Sequence, residues 1–145
     1  VKKHAELLLK EELIQEEKKA NLRYFKAESR CLFFKHLKIA LNIHFLQKSK
    51  LIHYLEENIP NLSSIILFGS YAKGEDDKKS DIDLLVIGKK THLNLEKFES
   101  IFNKEITPHI FSWSEWNKKA KQDKTFYAEI IRYGVPLLGE LPIIN

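Results

Sequence analysis

Methionine is absent from these 145 residues, cysteine occurs once, and glycine and proline number only five and four. Each scarcity excludes something. A lone thiol, Cys31, cannot close an internal disulfide, so the chain is no disulfide scaffold. Cys31 reads as a small core residue in a reducing compartment. There is no Cys-x-x-Cys and no His-x-x-x-His, so a structural zinc site has no basis. No apolar run approaches bilayer-spanning length and no signal-peptide pattern opens the chain, which points to a cytoplasmic protein without a membrane partner. Internal repeats and low-complexity tracts are missing too. A translated product needs an initiator, so a Met-less chain starting at Val1 reads as a fragment, or its true start lies before Val1.

What is present is core material and charge. Hydrophobic residues make up 43% and charged residues 30%, with nine Phe and five Tyr, enough for one ordinary domain or a small domain plus an appendage. The net charge of +4 leans towards an anionic partner, which a nucleoside triphosphate and a nucleic acid satisfy equally. Lys2, Lys3, Lys10, Lys18, Lys19, Arg23 and Lys26 crowd the first 26 residues.

The densest information lies in Ile65-Ile66-Leu67-Phe68-Gly69-Ser70-Tyr71-Ala72-Lys73-Gly74, followed by Ser80-Asp81-Ile82-Asp83-Leu84-Leu85-Val86-Ile87-Gly88. The first segment reads as a buried strand, a Gly-Ser turn and one helical turn. Gly69 allows close backbone approach, Ser70 is placed to cap the helical turn, and free N–H groups there suit a phosphate. Lys73 adds a point charge. In the second segment, strand alternation puts Asp81 and Asp83 on one face, with Ile82 and Leu84 pointing into the core. Two carboxylates side by side call for a cation, and Mg²⁺ fits: it prefers hard oxygen ligands and leaves sites open for phosphate oxygens.

This pairing resembles the DNA polymerase β-like nucleotidyltransferase superfamily, and within it the minimal nucleotidyltransferases. Gly69, Ser70, Ala72, Lys73, Gly74, Ser80, Asp81 and Asp83 fill the family positions, with Lys73 where Arg is more usual. The resemblance implies that Gly69 and Ser70, with Lys73 and Ser80 nearby, hold the triphosphate of an NTP, ATP by expectation. It implies that Asp81 and Asp83 are catalytic and hold Mg²⁺. Relatives that act as antitoxins by adenylylating a HEPN-domain toxin imply a protein partner.

Catalytically complete members add a third carboxylate from a later strand. The candidate strand here is Glu105-Ile106-Thr107-Pro108-His109-Ile110-Phe111. If Ile106 and Ile110 face the core, Thr107 and His109 occupy the face where the acid belongs, and neither is a carboxylate. Glu105 shares that face at the strand's start and is the candidate third catalytic acid. Pro108 removes a backbone donor, which puts the strand at an edge or in a bulge. His109 reads as a metal ligand or as an exposed histidine without a metal role.

Ahead of this unit, Val1 to Glu12 has helical spacing, with Leu8 and Leu9 on the inner face and Lys2, Lys3 and Lys10 outside. Leu13–Glu17 and Leu22–Lys26 read as strands around a turn at 18–21. Helix, strand, basic turn, strand resembles the recognition helix and wing of a winged helix-turn-helix, which implies DNA contacts from Lys2, Lys3, Lys10, Lys18, Lys19 and Arg23. The alternative is a helix and hairpin that merely pack on the rest. Ser29 is placed to cap a helix through Gln47 whose apolar stripe includes Phe33, Leu37, Ala40 and Leu41. That helix joins the two parts or pairs with its equivalent in a homodimer; His36 and His44 on it read as packing or surface residues. Beyond Gly88, helices are expected at 94–103, from a Ser114 cap, and over 126–133, with a short strand at 135–139.

The expected architecture is α+β. A small mixed sheet carries the Gly-Ser turn and both aspartates, with helices on one face. The divisions are 1–28 (partial winged helix), 29–47 (linker helix) and 48–145 (nucleotidyltransferase unit). The leading function is transfer of a nucleotidyl group from Mg-NTP to a hydroxyl of a protein or small molecule. The rival is a DNA-binding regulator whose degenerate nucleotidyltransferase domain senses a nucleotide.

Overall fold

The computed structural model describes residues 2–144, apart from the side chain of Lys2, so the expectation for that side chain falls outside the described residues. Helix α1 (Lys2–Lys10) leads into a two-stranded antiparallel hairpin, β1 (Ile14–Lys19) and β2 (Leu22–Ala27). Lys19 pairs with Leu22, leaving Ala20 and Asn21 as the turn, at the position expected. The inner face of α1 differs from expectation: Leu8 is exposed and Leu9 half-buried, while Leu13 just beyond the helix is buried.

Helix α2 (Leu32–Lys48) is capped at Cys31, not Ser29. Cys31 is therefore a half-buried backbone boundary and not a core residue. Helix α3 (Leu51–Asn58) then enters the main unit. A four-stranded mixed sheet follows, made of β3 (Ser64–Phe68), β4 (Ile82–Ile87), β5 (Ile106–Phe111) and β6 (Val135–Leu138), in the order β5-β4-β3-β6. Strand β3 runs antiparallel to β4 and β6, and β4 runs parallel to β5. Pro108 lies on β5, an edge strand, where its missing donor costs no inner ladder bond.

Helices cover both faces of the sheet, not one. The reason is in the strands: Ile65–Phe68 and Leu84–Ile87 are continuous apolar runs, so both faces must be shielded. Ile65, Leu67, Ile82, Leu84 and Val86 pack with Leu46 of α2, Leu51 and Leu55 of α3, and Phe98 of α5 (Glu96–Phe102). Ile66, Phe68, Leu85 and Ile87 pack on the other side with Trp116 and Ala120 of α6 (Trp113–Gln122) and Ile130 of α7 (Lys124–Tyr133). Each such fully buried side chain stabilises the fold by roughly 1.5–3 kcal/mol. Trp116 is buried completely and its Nε1–H donates to the Pro142 carbonyl at 2.7 Å.

The cap of α6 is Ser112 and not Ser114. Its hydroxyl accepts from the Glu115 N–H while Glu115 reaches back to the Ser112 N–H, a reciprocal capping box. Asp123 then ends α6 and caps α7 by accepting from the Phe126 N–H. No helix among the described residues is long and apolar enough to cross a membrane.

A carboxylate pair at the end of the sheet

Strand β3 ends at Phe68, directly opposite Asp83 in the ladder, and Asp83 in turn lies beside Thr107 of β5. The chain then turns into helix α4 (Gly69–Lys73). Gly69 has φ +70°, in the left-handed region that favours glycine. An ideal β-carbon there would stand 2.7 Å from Oδ2 of Asp83. The carboxylate therefore rests against bare backbone at the entrance to α4. Ser70 is not the cap of this turn. Phe68 holds the cap position, and Ser70 is the second helical residue, its carbonyl accepting from Gly74 and Glu75.

Asp83 is half-buried and its carboxyl is pushed above the ordinary carboxylate range. Burial is the main cause; His109 acts in the opposite direction, and the like charge of Asp81 adds to the rise. The like charge of Asp81, the residue just before β4, thus reaches Asp83. Thr107 and His109 lie on the sheet face of Asp83: His109 packs against Phe68 at 5.4 Å and against Phe126 at 6.2 Å between ring centroids.

Glu105 contributes differently. Its carbonyl accepts from the Ile82 N–H, and its side chain is exposed along a cleft shared with Glu96, Glu99, Ser100 and Asn103. The charges that shift Asp83 are those of Asp81 and His109, with Glu105 outside that set. Among the described residues, no three histidine, cysteine or acidic side chains gather into a metal-binding group. The carboxylates of Asp81 and Asp83 are hard oxygen donors of the kind Mg²⁺ takes, and two of them would leave further positions for phosphate and water.

The other expected residues are engaged locally. Lys73 forms an ion pair with Glu129 of α7 at 2.9 Å and lies over the Tyr133 ring, and its ammonium pKa is raised, chiefly by the Glu129 bond. Ser80 exchanges hydrogen bonds with Asp77: its hydroxyl accepts from the Asp77 N–H at 2.9 Å and donates to Oδ1 at 3.2 Å. That closed turn delivers the chain to Asp81.

The loop before the aspartates has a support that sequence reading missed. Asn42 of α2 donates to the Tyr71 carbonyl at 3.2 Å and to Oδ1 of Asp76 at 2.8 Å. Lys38 pairs with Asp76 at 3.3 Å and Lys35 with Glu75 at 2.6 Å. A β-carbon on Gly74 would stand 2.4 Å from the Lys35 carbonyl, so α2 and α4 are in backbone contact. The available signal was the spacing of Lys35, Lys38 and Asn42, three and four residues apart, which puts them on one helix face.

Lys3, Lys10, Lys18, Lys19, Arg23 and Lys26 are exposed, but two of them are compensated inside the hairpin. Arg23 bonds Glu16 in a fork and lies over Phe25, and Lys19 pairs with Glu17 at 3.3 Å beside Tyr24.

The sequence profile of the family described as "Polymerase beta, Nucleotidyltransferase" matches residues 49–140. The chain belongs to this family. The nucleotidyltransferase match spans the sheet, α4 and both aspartates, and begins after α1, the hairpin and α2. The chain is also similar to the protein adenylyltransferase MntA of Shewanella oneidensis, 43% identical over 54 residues. That alignment covers 37% of this chain and 39% of that relative, so the chain matches well under half of its length. Among solved structures, a toxin–antitoxin with AMP-PNP is 27% identical with a TM-score of 0.45, over 63% of this chain and 72% of that one. A mutant form of the toxin–antitoxin MntA-HpeT is 25% identical with a TM-score of 0.47 over the same shares.

Proposed function

We propose that the chain binds a nucleoside triphosphate, ATP by preference, with Mg²⁺ held by Asp81 and Asp83, and transfers its nucleotidyl group to a hydroxyl of a partner protein. The observation that carries this is the Asp83 carboxylate set against the bare backbone of Gly69, in a chain of the nucleotidyltransferase family. Mg²⁺, when bound, neutralises charge on the phosphate oxygens and aligns them. The chain's own residues do the rest. Asp81 and Asp83 hold the cation on one strand face. Gly69 lets phosphate oxygens approach the turn without a side chain in the way. Ser80 fixes the turn before Asp81, and Lys73, tied to Glu129, contributes charge from a distance. In the transfer a hydroxyl oxygen of the acceptor bonds to the α-phosphorus and the bond to pyrophosphate breaks. The hydroxyl proton leaves to a carboxylate or to water. Positioning and charge stabilisation supply most of what such chemistry needs.

A protein acceptor is supported by the similarity to a protein adenylyltransferase. The resemblance to antitoxin relatives makes a HEPN-domain toxin the first acceptor to try. A second reading has the site bind nucleotide without turnover, and Thr107 and His109 in place of a third acid favour it. Incubation with α-labelled ATP, Mg²⁺ and a HEPN-domain protein tests both. Label on the partner, lost in Asp83→Ala, is the expected result. Binding without label leaves the second reading. A chain that neither binds Mg-ATP nor transfers it refutes both.

A further inference from the structure

A cleft of about 640 Å³ opens between the C-terminal half of α2, helix α4 and helix α5. No aspartate or glutamate among the described residues lines it. Its floor is apolar: Tyr71 and Phe102 pack with Leu67 and Leu84, on the sheet face opposite the one that carries Asp83. Phe45 and Lys48 stand three residues apart on α2, and Lys97 and Ile101 four apart on α5. Each wall thus presents one large apolar side chain and one ammonium. Phe45 and Ile101 are each 55% exposed, and both lysines are exposed. Neither lysine forms an ion pair among the described residues. Tyr71 is only 9% exposed, and its hydroxyl has no hydrogen-bond partner among the described residues, where no side-chain oxygen is both buried and unsatisfied. The hydroxyl therefore opens into the cleft that Tyr71 lines. Burial, and then the charge of Asp76, push this phenol up, so it keeps its proton and acts as a donor. Asp76 itself is paired with Lys38.

We propose that this cleft docks the acceptor protein, through a segment in which large apolar side chains stand between carboxylates. Only the word acceptor rests on the reading above; the docking chemistry stands on the cleft alone. Two ammonium groups and a phenol hydroxyl converge with no carboxylate among them, so the complementary charge is negative. An apolar floor with a few polar groups at its edge is the form of a recognition site, and the size falls in the usual range. A free fatty acid fits less well, because walls that are more than half open to water do not enclose a tail. A nucleic-acid strand fits less well, because two lysines answer few phosphates. The place has a consequence. Tyr71 lies two residues beyond Gly69 in α4, and Asn42 at the rim holds the Tyr71 carbonyl. An occupant therefore sits behind the Gly69 turn, while the face that carries Asp83 stays open to nucleotide.

Two peptides test this on the whole chain without ATP, so that docking and transfer are read separately. Acetyl-Glu-Leu-Phe-Glu-amide and acetyl-Lys-Leu-Phe-Lys-amide are titrated into isotope-labelled protein and followed by amide chemical shifts. Saturable shifts at Phe45, Tyr71 and Ile101 are expected with the acidic peptide, bound roughly tenfold more tightly than the basic one. Lys48→Glu combined with Lys97→Glu is expected to invert that preference. Phe45→Ser is expected to weaken the acidic peptide about fivefold, through lost apolar contact. All three side chains are exposed, so far-ultraviolet circular dichroism and the melting shift given by Mg-ATP are expected to stay unchanged. No saturable shift, equal affinity for the two peptides, or a preference that survives the charge reversal overturns the proposal. Dodecanoate that moves the same amides at lower concentration than the acidic peptide overturns the protein assignment. A peptide that docks in a chain giving no transfer from labelled ATP upholds the interface and removes the transfer reading instead.

Discussion

The Asp83 carboxylate lies so close to Gly69 that no side chain fits between them: a β-carbon on Gly69 would meet Oδ2 at 2.7 Å. Gly69→Ala therefore does two things. It puts an L-residue at φ +70°, costing about 1–2 kcal/mol, and it pushes Asp83 out of its position. The expected outcome is a lower melting temperature and loss of the stabilisation that Mg-ATP gives the wild type. That stabilisation is roughly 2.7 kcal/mol at a hundredfold excess over Kd, readily seen in thermal denaturation. A variant that melts lower but keeps the full nucleotide shift would detach Gly69 from the site.

Asp83→Asn separates the same two effects from the other side. A half-buried carboxylate that burial and a neighbouring like charge disfavour is replaced by a neutral isostere. Without metal, the variant is expected to be as stable as the wild type or more so. With Mg²⁺ and ATP present its melting temperature is expected not to rise. A clear loss of stability in metal-free buffer would show that Asp83 supports the fold and not a ligand.

Lys73 is expected to matter less than the family pattern suggests. Its ammonium is held at 2.9 Å by Glu129, a partly exposed pair, so it is not free to close on a phosphate. Lys73→Met should weaken ATP binding less than tenfold, under about 1.4 kcal/mol by titration calorimetry. A hundredfold loss would mean that the lysine leaves Glu129 when nucleotide binds.

The α6–α7 junction gives a pH dependence with a definite sign. Asp123 is held below the ordinary carboxylate range, first by the Lys119 ammonium and then by the Phe126 N–H; Glu115 is held down by the backbone and hydroxyl of Ser112. A depressed carboxylate contributes stability that is present above its unfolded pKa and lost as pH falls through its folded pKa. Asp123→Asn should therefore lower the melting temperature at pH 7, and the gap to wild type should narrow as acid protonates the aspartate. A gap independent of pH would assign the effect to packing.

Much of this was legible because single residues carried it. The continuous runs before Gly69 and after Ile82 marked two buried strands, and Pro108 marked an edge. Two of the failures share one cause, tertiary context overriding local pattern. A continuous apolar strand implies cover on both faces, yet alternation around Asp83 suggested one. In α2 the apolar stripe pointed to a neighbouring part or a second copy, and the lysines were given no partner. The partners Glu75 and Asp76, some 35 to 40 positions away in sequence, turned the lysine face inward instead. The cap of α6 was misplaced by two residues although Ser112 and Glu115 spell the capping pair.

Those same partners give the last prediction. Asp76 accepts from Asn42 at 2.8 Å and pairs with Lys38 at 3.3 Å, with little of its side chain in water. It touches neither Asp81 nor Asp83, but it fixes the loop that leads to them. Asp76→Ala removes the carboxylate acceptor of Lys38 and Asn42, which keep only the Asp76 and Tyr71 carbonyls, a loss of about 1–3 kcal/mol. Nucleotide binding should weaken with it, because the loop is no longer held to α2. Asp76→Asn, which keeps an acceptor for Asn42, should recover part of both. A fall in stability with unchanged nucleotide affinity would show that α2 braces the fold but not the site. No change in either would mean that the contact is incidental.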